Sequence, residues 1–171
     1  MNKMQEVRIE KVTLNIGAGK DQNKLEKGVM LIKAITGVVP VKTVTNKRII
    51  GWGLRPGLPI GCKVTLRKKQ ALELIPRLLS AKDNVLKKSQ FDENGNLSFG
   101  IPEYIDIGGA KYDPKIGVMG LEVCITFDKA GYRVKKRKVC KAIVNKRHRI
   151  TKAEAMEFMK KMFKVKIGEA E

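Results

Sequence analysis

Trp52, the only tryptophan of the chain, lies in a run of cations and glycines with Lys47, Arg48 and Arg55 close by. An aromatic ring exposed among cations can stack on a nucleobase while the cations meet phosphates. The same ring folded back onto the core would do neither, and the loop alone leaves both readings open. Other chemistry is poorly supplied. His148 is the only histidine and sits in a basic run, without a carboxylate to orient it or a nucleophile to activate. Asp106 and Asp113 have no metal-ligand spacing, and Glu103 with Asp106 stands among Gly and Pro residues that suit a turn. Gly17-Ala18-Gly19-Lys20 lacks the third glycine of a dinucleotide fingerprint and the spacing of a phosphate loop. Cys62, Cys124 and Cys140 form no CxxC pair, so neither zinc nor a disulfide is expected. Cys62 and Cys124 are expected as small buried strand residues. Catalysis is therefore set aside, and no cofactor or metal is implied.

Binding chemistry is better supplied. The chain of 171 residues carries 36 Lys plus Arg against 17 Asp plus Glu, a formal charge of +19. Such an excess calls for a polyanion. A hydrophobic fraction of 43% is enough for a packed core, so the cations belong to a folded domain. We expect one domain over 1–171. A membrane surface is the rival partner, but no basic amphipathic helix or lipidation signal is evident. Asn2 stands where a myristoylation signal needs glycine. No apolar run is long enough to span a bilayer, and the start lacks the apolar region of a signal peptide. A cytoplasmic location is expected.

The elements that must hold these residues follow from periodicity. Val7 to Ile16 reads as a strand, with Val12, Leu14 and Ile16 on one face and Thr13, Asn15 and Gly17 on the other. Val7 and Ile9 join the alternation only if one residue slips near Glu10-Lys11, which predicts a bulge. A helix follows, with Asp21 as N-cap, Leu25, Val29, Ile32 and Ile35 on its apolar face, Gly28 as a weak point and Gly37 as terminator. Val41–Thr45 and Lys63–Arg67 read as strands flanking the long loop. In the second, Val64 and Leu66 oppose Lys63, Thr65 and Arg67. Leu72, Ile75, Leu78 and Leu79 mark a second helix, which Pro76 should kink or restart. Asn94-Gly95 predicts a type I′ hairpin. Leu97, Phe99 and Ile101 alternate in one later strand, and Leu121, Val123, Ile125 and Phe127 in another. Residues 108–120 read as a second long loop. Tyr132–Arg149 is dominated by cations. Thr151 and Glu154 form a capping box opening a terminal helix with Ala155, Phe158, Met159, Met162 and Phe163 on one face.

The fold class expected is α+β: an antiparallel sheet, helices packed mainly on one face, and long basic loops. Helices that bury their stripes on one sheet face leave the other with hydroxyls, an amide and cations, and with few acids. Such a face suits RNA, with cations on phosphates and Thr or Asn on 2′-hydroxyls and base edges. A free regulator built on an RRM-like sheet is the alternative. That sheet needs exposed aromatics, whereas Phe99 and Phe127 fall with Leu and Ile on the face expected to be buried.

Four ordered blocks spanning nearly the whole chain resemble the large-subunit ribosomal protein L-five family. They are Val12–Gly17, the signature-like Arg55-Pro56-Gly57-Leu58-Pro59-Ile60-Gly61-Cys62-Lys63-Val64-Thr65-Leu66-Arg67, the hairpin Phe91–Ile105, and Tyr112-Asp113-Pro114 followed by Ile116–Val123. The compact start and the basic segment after Gly131 look like the archaeal and eukaryotic branch. The resemblance implies a sheet face docked on 5S ribosomal RNA in the central protuberance. Asn15, Thr43, Thr65 and Arg67 match motif positions, and Lys42 and Lys63 would meet phosphates. Arg133, Lys135 and Arg137 would meet the large-subunit rRNA. It further implies that the loop of Lys47, Arg48, Trp52 and Arg55 contacts P-site tRNA. Neighbouring central-protuberance proteins, and a small-subunit head protein across an intersubunit bridge, are the implied protein partners. Val38 departs from the pattern, standing where relatives often carry a polar side chain.

Overall fold

A computed structural model describes residues 2–168; residues 1 and 169–171, the ends of the expected domain, lie outside the described residues. Seven strands and four helices are present among them: β1 Val7–Gly17, α1 Gln22–Thr36, β2 Val41–Val44, β3 Pro59–Leu66, α2 Lys68–Ser80, β4 Val85–Lys87, β5 Leu97–Ile101, β6 Leu121–Lys129, α3 Arg133–Lys136, α4 Lys152–Phe163 and β7 Lys166–Gly168. The main sheet has the order β2-β3-β1-β6-β5, with every neighbouring pair antiparallel. β4 and β7 form a separate parallel pair. The fold is α+β.

β1 is central because both of its edges are used, by β3 and by β6. Its bulge lies at Glu10: Ile9 pairs with Phe127 and Lys11 with Thr126. Beyond the bulge, Val12, Leu14 and Ile16 face inward with Val64, Leu66, Val123 and Ile125, all buried. α1, α2 and α4 contribute to this same core.

Local signals account for the helix ends. The Asp21 carboxylate accepts from the backbone N–H groups of Asn23 and Lys24, and Gly37 closes α1 in the left-handed region with its N–H on the Lys33 carbonyl. Thr151 and Glu154 form the expected capping box of α4. Gly28 has a packing reason. A Cβ there would stand 3.2 Å from both the Cys62 Sγ and the Ile16 side chain, so the missing side chain lets α1 lie close on β1 and β3.

Several expectations are corrected. α2 does not restart at Pro76 but continues through it, and its buried face is Ala71, Leu74, Ile75, Leu78 and Leu79, with Leu72 exposed. On α1 Gly28 and Leu31 are buried, while Val29 is only half-buried. On α4 Ala155 and Met159 are buried but Met162 is exposed. Each apolar stripe is narrower than the run of apolar residues. β3 begins at Pro59, earlier than expected. The Asn94-Gly95 turn is not type I′, because Asn94 does not take positive φ. Asp92 N–H donates to the Asn96 carbonyl, Gly95 N–H donates to the Asp92 carbonyl, and Gly95 has φ +80. This is a three-residue loop with a glycine bulge, which the Asp92 carboxylate holds by accepting from Asn96 N–H at 2.7 Å.

Candidate nucleic-acid interface

The sheet face away from the helices carries two cross-strand rows fixed by register. One runs Val41, Lys63, Asn15, Glu122, Gly100; the other runs Thr65, Thr13, Cys124, Ser98. Thr43 follows beside Gly61 and Gly17. Short side chains and glycines make this surface low, so a sugar–phosphate backbone can approach the strands closely. No aromatic residue stands in these rows; Phe99 and Phe127 are buried on the other side.

The expected residues divide between elements. Asn15, Thr43, Lys63 and Thr65 share the open face. Arg67 follows β3 in extended conformation and continues that alternation. Lys42 does not share it: Lys42 pairs with buried Cys62, so its side chain belongs to the helix side. Cys124 is also corrected. It is exposed in the second row, because its neighbours Val123 and Ile125 are the residues that point inward.

Acids are closer to this face than expected. Asn15 Nδ2 donates to Glu122 Oε2 at 3.0 Å. Glu10, turned by the bulge, accepts from Arg67 at 3.2 Å and Lys136 at 2.7 Å. Lys136 also reaches Asp128 at 3.6 Å, and Asp128 pairs with Arg8 at 2.8 Å. Burial pushes the Glu10 carboxyl up, but the hydrogen bonds from Lys136 and Arg67 outweigh it and hold the group below its ordinary value. Partial desolvation by the neighbouring strands, then the Glu122 charge, pushes the exposed Cys124 thiol up. Period-two alternation in β6 marks Glu122 as outward-facing, but its meeting with Asn15 depends on the β1–β6 register.

The basic segment is a pinned loop. Tyr132 Oη accepts from Ile150 N–H at 2.8 Å, and His148 Nε2 lies 2.8 Å from the Ala130 carbonyl. Within it, Arg133 and Lys135 are exposed on α3, and Arg137 Nε donates to the Cys140 carbonyl.

The β2–β3 loop is a narrowed hairpin tip. Ile49 and Leu54 pair as an isolated bridge around the turn Ile50–Trp52. Leu54 is buried, whereas Trp52 is 70% exposed beside exposed Ile50, and Lys47, Arg48 and Arg55 are exposed around them. The tip thus folds on Leu54 and offers Trp52 outward.

No group of three or more His, Cys, Asp and Glu that could hold a metal occurs among the described residues, and no helix there is long and apolar enough to cross a membrane. A buried helical layer backing an open, low sheet face makes this an α+β protein with one exposed, polar sheet surface. Comparison with known proteins narrows this class. Residues 2–55 match the family described as ribosomal protein L5, and residues 59–158 match the C-terminus of the same ribosomal family. The chain is 48% identical over 170 residues to the large ribosomal subunit protein uL5 of Sulfurisphaera tokodaii, covering 99% of this chain and 96% of the relative. It is 48% identical to the protein of the same name from Sulfolobus acidocaldarius, over 98% and 94% of the two chains. The Nanoarchaeum equitans relative, again a large ribosomal subunit protein uL5, is 47% identical over 96% and 97%. The chain belongs to the ribosomal protein L5 family, whose members are structural rather than enzymatic.

Proposed function

We propose that this protein is a structural constituent of the large ribosomal subunit in the cytoplasm, and that its open sheet face binds 5S rRNA. The observation that carries this reading is the registered row Lys63–Asn15 beside the row Thr65–Thr13, set on a sheet whose opposite face is buried in the core along β1, β3, β5 and β6. Cations there meet phosphates, and the hydroxyls and amide reach 2′-hydroxyls and base edges. Arg133, Lys135 and Arg137 hold large-subunit rRNA, and the Trp52 tip contacts P-site tRNA. Neighbouring central-protuberance proteins and a small-subunit head protein complete the partners. The whole chain acts as one domain; β1, from the first matched part, sits between β3 and β6 of the second.

Filter binding of 5S rRNA tests the reading. Lys63→Ala and Thr65→Ala should each weaken binding, the lysine by about 1–3 kcal/mol with a shallower salt dependence. Wild-type affinity in both would remove the sheet face from the interface.

A further inference from the structure

A cleft of about 630 Å³ opens between the 92–96 hairpin and the pinned basic loop. Its recess is apolar, lined by Phe127, Val144 and Ile150 with the ring of Tyr132. Its rim carries Lys135, Lys141 and Arg149, none of which makes an ion pair among the described residues. The single acid in the lining, Glu10, is already matched by Lys136 and Arg67. On the opposite wall stand Asn94 and Asn96; one Asn96 amide hydrogen is donated to the Asp92 carboxylate at 2.7 Å, and the amide oxygen is an acceptor. The walls are held from both sides. Ala142 N–H donates to the Val134 carbonyl inside the loop, and Gly95 lets the hairpin press against Ile150 and Ala155.

We propose that this cleft takes one unstacked nucleotide of single-stranded RNA, its base in the apolar recess and its flanking phosphates on Lys135, Lys141 and Arg149. The proposal rests on the RNA-binding reading above and deepens it: the cleft is separate from the open sheet face, and Lys135, assigned above to large-subunit rRNA, stands on its rim. The volume falls within the roughly 300–1,000 Å³ of small-ligand sites. A duplex would reach the rim but leave the recess empty, since its bases are paired and stacked; a splayed base fills both parts. The uncompensated cations favour a phosphodiester over an apolar peptide, and the asparagine amides supply a polar edge facing the base.

The test compares a 4-thiouridine-containing RNA hexanucleotide with a blunt RNA duplex of equal charge, using the full chain and its Ala142→Trp variant. The side chain added at Ala142 fills the cleft without changing charge. Hexanucleotide binding should fall at least tenfold, while duplex binding and 5S rRNA binding change less than twofold. Ultraviolet cross-linking of the wild-type complex should map to Tyr132 or to residues 143–150. Lys141→Gln with Arg149→Gln provides a second variant should the tryptophan perturb folding, and it should weaken the hexanucleotide more than Lys111→Gln with Lys115→Gln does. Equal losses on hexanucleotide and duplex, cross-links confined to Trp52, or tighter binding of a leucine-bearing oligoglutamate peptide than of the hexanucleotide would each overturn the site. If 5S rRNA binding stays sensitive to Lys63 while the hexanucleotide fails, only the cleft assignment falls; loss of the Lys63 effect would instead sink the sheet-face reading.

Discussion

Asn15 Nδ2 donates to Glu122 Oε2 at 3.0 Å across the β1–β6 pair, so the amide expected to read RNA is tied to a carboxylate within the same face. Glu122 orients Asn15, but it also brings a negative charge close to approaching phosphates. Glu122→Gln keeps an acceptor and removes that charge. It should tighten 5S rRNA binding severalfold at low salt, an effect of about 0.2–1 kcal/mol for an exposed pair of charges. The gain should fade at high salt as screening grows. Filter binding at two salt concentrations measures this; a weakened complex at both would mean that orientation outweighs repulsion.

Lys129 is 3% exposed and its Nζ lies 2.7 Å from Glu154 Oε1, joining the end of β6 to the first turn of α4. Burial raises the Glu154 carboxyl, but the Lys129 ammonium and the Thr151 N–H and hydroxyl outweigh it and leave the group below its ordinary value of 4.5. A depressed carboxyl contributes stability that is present above its unfolded value and is lost as pH falls through the folded one. Stability should therefore decline on acidification below about pH 4.5, and less steeply in Glu154→Gln. At neutral pH that variant should lose about 1–3 kcal/mol: a buried cation loses its partner, moderated because Glu154 is itself partly exposed. Urea melts at several pH values follow both effects.

Gly95→Ala should destabilise the protein by about 1–3 kcal/mol. Gly95 has φ +80, and a Cβ would stand 2.7 Å from Ile150 Cγ2 and 3.3 Å from the Thr151 carbonyl. The hairpin must lift from the start of α4. Thermal unfolding measures the loss; an unchanged midpoint would show that the loop is not pressed on Ile150.

Trp52 is the only tryptophan, so its fluorescence reports on the β2–β3 tip alone. At 70% exposure it should be strongly quenched by acrylamide in the free protein and protected in ribosomes holding P-site tRNA. Removal of residues 49–54 should leave 5S rRNA binding within about twofold, because the tip and the open rows are separate parts of the structure. A tryptophan shielded before tRNA is added would contradict the exposed tip.

Several features were legible in the chain because they depend on near neighbours. Alternation separated Val12, Leu14 and Ile16 from Thr13 and Asn15, and the slip at Glu10 announced the bulge. Asp21, Gly37 and the Thr151–Glu154 box set helix ends through contacts a few residues apart. Ordered sequence blocks identified the family across the length of the fold. Period two also places Lys42 and Thr43 on opposite faces. Which of them faces outward depends on the register with β3, where Lys42 meets Cys62.

Tertiary structure decided the rest. Exposed Leu72 and Met162 reflect how far each helix is rotated on the sheet, which only packing sets. The strand order β2-β3-β1-β6-β5 brings Glu122 to Asn15 across more than a hundred residues of chain, and the bulge turns Glu10 toward both Arg67 and Lys136. The cleft needs the hairpin and the basic loop at once. Side-chain periodicity is local and can be read along the chain; ladder partners and loop docking are chosen by the free energy of the whole packed sheet, which no single segment contains.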